Sequence, residues 1–174
     1  MPNYKRYYLQ GYSYIFITIV TYERKELLLD NIQLLREAFL RVKQNYDFEI
    51  IAICVLKDHL HMIIKEKELK NFSQIISNLK KYFSYNLSEK INKKNLPDSM
   101  HKRKEAGVWQ RRFYDHIIRN QDDFNKHIDY IHYNPYKHYQ ILPKDWNYSS
   151  FSKFVKFGYY EVDWCDFEGD IELE

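Results

Sequence analysis

The 174-residue sequence contains no CxxC pair, no internal repeat and no low-complexity tract. It also lacks any apolar run of the roughly eighteen residues that a membrane span requires, because Lys, Glu or Asp interrupts each candidate. The two cysteines, Cys54 in an apolar stretch and Cys165 near the end, are too few and too far apart for a disulfide framework. Nothing at the start of the chain reads as a basic segment followed by an apolar one, so the expected compartment is the cytoplasm, with no membrane partner. Lys and Arg are missing altogether after residue 160, where Glu161, Asp163, Asp166, Glu168, Asp170, Glu172 and Glu174 lie. The net charge of the whole chain is only +3, yet the 27 basic residues before that point meet 17 acidic ones, which leaves +10.

A basic body with an acidic end fits a polyanion binder that shields itself, and fits a merely solvated basic surface about as well. The aromatics favour the polyanion. Seventeen Tyr, 11 Phe and 3 Trp are interleaved with Lys and Arg, and rings stack on bases beside phosphate contacts. The length suits a single domain with its own core, read here as residues 1–158 followed by an acidic tail over 159–174.

Residues 14–21 (YIFITIVT) are β-branched and aromatic, which predicts a strand buried on both faces. Asp30, with Gln33 placed for a capping box, opens a helix along Ile32, Leu35, Phe39, Val42 and Tyr46. Residues 48–57 and 59–65 read as a central hairpin turning at Lys57-Asp58. Asn71 and Gln74 open a second helix whose apolar stripe runs from Phe72 to Ile91. Residues 92–107 read as an exposed basic loop, and 108–118 as a further strand. Asn120 caps a last helix that Pro135 is expected to end. The tail, with its WNYSSF segment, shows no periodic element. This order predicts an α+β fold, a ferredoxin-like or RRM-like antiparallel sheet (βαββαβ) with an additional C-terminal helix.

Two residue pairs stand out. His59 and His61 are two apart on a predicted strand, so both leave one face, and one metal ion can bridge them. They interrupt the most apolar part of the sheet, where a polar pair needs a reason. Tyr130 and Asn134 are four apart and share a helix face at the edge of the stripe made by Phe124, Ile128 and Ile131. On composition alone, one tyrosine among seventeen is as well explained by packing.

The segments RYYLQGYSYIFITIV, KDHLHMII and VWQRRFYDHIIRNQDDFNKHIDYIHYNPYKH, in that order, resemble the HUH single-tyrosine transposases, and within them the REP-associated tyrosine transposases. The resemblance covers nearly the whole chain. It implies that His59 and His61 are metal ligands, that Asn134 is the third ligand and that Tyr130, on the added helix, is the nucleophile. Leu60 is the bulky apolar residue expected between the histidines, whereas the loop at 92–107 is longer and more basic than the family's. The implied activity is metal-dependent nicking and rejoining of single-stranded DNA through a covalent 5′-phosphotyrosine, on hairpin or palindromic repeats at the nucleoid, by a monomer or homodimer.

Two imidazoles and an amide oxygen leave positions for phosphate and water on Mg²⁺ or Mn²⁺. Arg111, Arg112, Lys80 and Lys81 are candidates to track the backbone. Trp109 and Phe113 are candidates to stack on bases, although a place in the core is slightly favoured for both rings. His132 and Lys137 are the nearest candidates in sequence for a base acting on Tyr130, and a surface or DNA contact is the stronger reading for each. The rival reading is an RRM-like module that holds single-stranded nucleic acid without cutting it, which requires exposed aromatics on the sheet. A two-histidine phosphoesterase is excluded, since the chain has no Hx[ST] motif.

Overall fold

The computed structural model describes residues 11–67, 69, 71–87 and 93–167. The β-branched run near the start forms β1 (Ser13–Val20), buried from Tyr14 to Ile19. It is followed by α1 (Ile32–Lys43), β2 (Glu49–Val55), β3 (His59–Glu66) and α2 (Phe72–Asn86). Next come α3 (Asp98–Lys102), β4 (Tyr114–Ile117), α4 (Gln121–Tyr139) and α5 (Phe151–Lys156). The four strands form one sheet in the order β2-β3-β1-β4, with every neighbouring pair antiparallel. This is the α+β, ferredoxin-like arrangement that the element order predicts.

Strand alternation splits the interior into two layers. Ile15, Ile17 and Ile19 of β1 and Leu60, Met62 and Ile64 of β3 point to one face, which α1 and α2 cover. Tyr14, Phe16 and Ile63 point to the other, where they pack against Phe124, Ile128 and Ile131 of α4, against α5, and against Tyr159 and Tyr160. An RRM-like module would need that second face open. Here Tyr14 and Phe16 are 2% and 0% exposed, so the sheet offers no stacking surface.

Four local expectations are corrected. Pro135 does not end α4, which continues to Tyr139. A proline costs one helical hydrogen bond, but the last turn is fastened from outside: Tyr139 stacks on Trp146 at 5.3 Å and accepts the Lys57 amide at 3.2 Å. The last strand begins at Tyr114 rather than 108, because Trp109 bridges Thr21 and the exposed Arg111-Arg112 step then leaves the sheet. Asp30 caps nothing; Asn31 precedes α1 and turns its amide to the Leu27 carbonyl. Two short helices, α3 behind Pro97 and α5 at the end of the WNYSSF segment, are too brief to show a period, and are anchored by Met100 and by Phe151 and Phe154. Residues 88–92, which the predicted α2 stripe and basic loop reach, lie outside the described residues. So do Glu168, Asp170, Glu172 and Glu174 of the acidic end.

Candidate active site

The β2–β3 turn delivers His59 and His61 to the α4 side of the sheet, where they are 4% and 2% exposed. Each ring is held through Nδ1. The Asp58 carboxylate lies 2.6 Å from His59 Nδ1, and the Thr18 hydroxyl lies 2.8 Å from His61 Nδ1. Thr18 is there because the β1–β3 register sets it opposite His61. A carboxylate only accepts, so His59 carries its proton on Nδ1 and keeps the Nε2 lone pair free. Burial holds both imidazoles below their ordinary range, His61 well below, against the opposing pull of Asp58 on His59. Both are therefore neutral near pH 7, the form that binds metals. The ring centres are 4.9 Å apart and nearly perpendicular.

Helix α4 supplies the other half. Its first turn is fixed by Asn120, whose side-chain oxygen accepts the Asp123 amide at 2.9 Å. Ten residues beyond that cap, Tyr130 meets the His61 ring at 5.2 Å and Phe16 at 6.0 Å. Sequence periodicity puts Tyr130 at the edge of the buried stripe, yet it is 3% exposed, because Phe167 closes over it at 5.7 Å. Burial pushes its phenol above the ordinary value, with Asn134 opposing.

The Asn134 amide donates to the Tyr130 carbonyl at 2.7 Å, which fixes its orientation. Its oxygen and Nε2 of His61 beside it are both buried, and they interact with each other without forming a hydrogen bond of full geometry. A buried polar group left unmet costs about 1–3 kcal/mol, so two in one place call for a ligand. Two imidazole nitrogens and one amide oxygen fit a divalent ion, Mn²⁺ at least as well as Mg²⁺.

Residues 8–134 match the family described as "Transposase IS200 like". The chain belongs to that family. A REP-associated tyrosine transposase of Escherichia coli is 35% identical over 98% of this chain and 93% of its own length. A Haemophilus influenzae protein named for the same group is 39% identical over 94% and 93%. A solved REP-associated tyrosine transposase bound to a REP hairpin superposes with a TM-score of 0.74 at 34% identity, over 99% of this chain and 96% of that one. The chain is thus a transposase of the REP-associated tyrosine type.

In this transposase the remaining sequence candidates scatter. His132 is fully buried between the Ser150 hydroxyl at 2.8 Å and the Tyr160 hydroxyl at 3.2 Å. Burial pulls it down to about 3, so it is a neutral core residue and no base for Tyr130. Lys137 is the nearby cation instead, its ammonium 3.4 Å from the Tyr130 hydroxyl and 4.9 Å from the ring centre. Trp109 lies in the core against Phe83 at 5.1 Å and has no face free for a base. Arg111, Arg112 and Lys81 are exposed, whereas Lys80 is partly buried and turned toward the carbonyls of Gln110 and Arg111.

Sequence reasoning missed three partners: Thr18, Asp58 and the cluster of His116, Asp123 and His127. Only Asp58, adjacent to His59, left a signal. The cluster's ligand atoms lie within 4.8 Å of one another. Its imidazoles are stacked at 4.7 Å and 13°, however, and stacked rings cannot aim in-plane lone pairs at one ion. With the Asp123 carboxylate 2.8 Å from His116 and 3.1 Å from His127, it clamps β4 to α4. Among the described residues no helix is long and apolar enough to cross a membrane.

Proposed function

We propose that this transposase is a divalent-metal-dependent endonuclease and strand transferase for single-stranded DNA, acting on hairpin-forming repeats through Tyr130. The observation that carries the reading is the meeting of His59, His61, Asn134 and Tyr130 from two elements, with two buried polar atoms unmet. The relative solved with a REP hairpin supports the choice of substrate. His59, His61 and Asn134 would hold the ion, which would stabilise charge on the non-bridging phosphate oxygens.

The chain's own groups do the rest. Tyr130 oxygen forms a bond to phosphorus as the bond to the 3′ oxygen breaks, and the phenolic proton ends on the departing 3′-OH. Lys137 faces the Tyr130 oxygen and stabilises the negative charge that develops there. Phe16 and Phe167 flank the phenol and exclude water. The covalent 5′-phosphotyrosine keeps the phosphodiester energy, so attack by a free 3′-OH reverses the step and rejoins a strand.

The test is incubation with labelled hairpin DNA and Mn²⁺ or Mg²⁺, followed by mass spectrometry of the trapped adduct. Tyr130→Phe keeps the ring and should lose all adduct while binding DNA and melting as the parent does. Phosphate found on any other residue overturns the assignment.

A further inference from the structure

Helix α4 brings more than Tyr130 and Asn134 to the site. Residues 130, 134 and 138 follow one another at helical spacing and so fan over one side of α4, and the last of them is His138. Its ring meets that of His59 with centres 4.8 Å apart and planes crossing at 73°. His59 therefore has two imidazole neighbours of like geometry, since His61 meets it at 4.9 Å and 86°. His138 is in place only because α4 runs on past Pro135. A helix stopped at the proline would leave residue 138 outside the last turn, which the contacts of Tyr139 with Trp146 and the Lys57 amide hold together.

We propose that His138 is a further protein ligand of the ion, giving a donor set of three imidazoles and one amide oxygen that selects a first-row transition metal over Mg²⁺. This role rests on the metal site proposed for His59, His61 and Asn134. Two imidazoles bound at right angles to one ion place their ring centres about 4.5 Å apart, given metal–nitrogen distances of about 2.1 Å. Both pairs around His59 come close to that spacing, and both cross steeply. The stacked rings of His116 and His127, at 13°, have the opposite geometry.

Two other roles fit less well. A histidine in the last turn of a helix commonly serves as a cation facing the helix dipole. Here partial burial, with His59 and Lys137 alongside and Asp58 opposing, pulls His138 down to about 4. It is neutral near pH 7 and has a lone pair to offer. A base for Tyr130 would have to reach its hydroxyl, and the side chain that does so, at 3.4 Å, is Lys137. The donor set also bears on the choice of ion. Mg²⁺ prefers oxygen ligands and gives up its water reluctantly, whereas imidazole suits transition metals. A third imidazole widens that difference.

The experiment uses Mn²⁺ as a paramagnetic probe. Metal-free protein grown with 15N-histidine is loaded with Mn²⁺, and pulsed electron paramagnetic resonance counts the coordinated imidazole nitrogens. Parallel titrations give the Mn²⁺ and Mg²⁺ dissociation constants. The wild type should show three nitrogen couplings and bind Mn²⁺ the more tightly. His138→Ala should show two couplings and bind Mn²⁺ at least about 10-fold more weakly, the low end of the loss for a group that merely supports a ligand. Its Mg²⁺ constant should move far less. The wild-type count needs no variant, so a fold defect in His138→Ala, read from its metal-free melting curve, does not obscure it.

Two couplings in the wild type, or three that persist in a folded His138→Ala, overturn the His138 ligand and leave the three-ligand site standing. An unchanged Mn²⁺ constant in the folded variant does the same. A wild type that binds Mg²⁺ as tightly as Mn²⁺ overturns the selectivity. Fewer than two couplings in the wild type overturn the metal site itself, and His138 with it.

Discussion

His61 holds its place through a single hydroxyl. Thr18→Val keeps the shape of the side chain and removes the group 2.8 Å from Nδ1, so the ring loses its orientation without leaving a cavity. Loss of such a supporting bond typically weakens metal affinity about 10–100-fold. The Mn²⁺ concentration for half-maximal adduct should rise within that range, while the rate at saturating Mn²⁺ recovers. Tyr130→Phe, by contrast, should not recover at any metal concentration. His132 sets a different expectation. Unfolded, it takes up a proton near pH 6.5, whereas folded it stays neutral until about 3. Across that window the unfolded chain holds the extra proton, so stability is full above pH 6.5 and falls as the pH drops. One such group costs on the order of 1.4 kcal/mol per pH unit. Urea titrations between pH 7 and 4 should show this slope, and His132→Gln should make it shallower by about one proton.

Helix α4 is the element on which the site depends, because it carries the proposed nucleophile, Tyr130, and one ligand candidate while β3 carries the other two. Its N-cap is a single bond from Asn120, and Asn120→Ala should cost about 1 kcal/mol. In a chain of this size that is a fall of about 2–4 °C in Tm by calorimetry. Element scale is also where sequence reading succeeded and failed most plainly. The buried run in β1, the His59–His61 spacing and the Asn120 cap were legible because each is a local pattern with one physical cause. The continuation of α4 past Pro135 was not, since it depends on Tyr139 meeting Trp146 and the Lys57 amide, residues that the fold brings together from outside the helix. Thr18 was invisible for the same reason: only the β1–β3 register makes it a neighbour of His61. Trp109 reads only slightly better as a core ring than as a base-stacking one from sequence, and the bridge to Thr21 decides for the core.

Across the whole molecule, helices cover both faces of the sheet, and the candidate metal site lies between the two halves of one layer. An ion bound there ties β3 to α4 and stabilises the native state only. At a concentration 100 times its dissociation constant it should add about 2.7 kcal/mol, or roughly 5–11 °C in Tm. The His59→Ala, His61→Ala double variant should fold yet show no such rise with Mn²⁺ and form no adduct. A chelator should return the wild type to its metal-free melting temperature. Such an ion would also act as a clasp: its ligand candidates come from a strand and a helix far apart in the chain, so losing it would free α4 to shift against the sheet while each element stays folded.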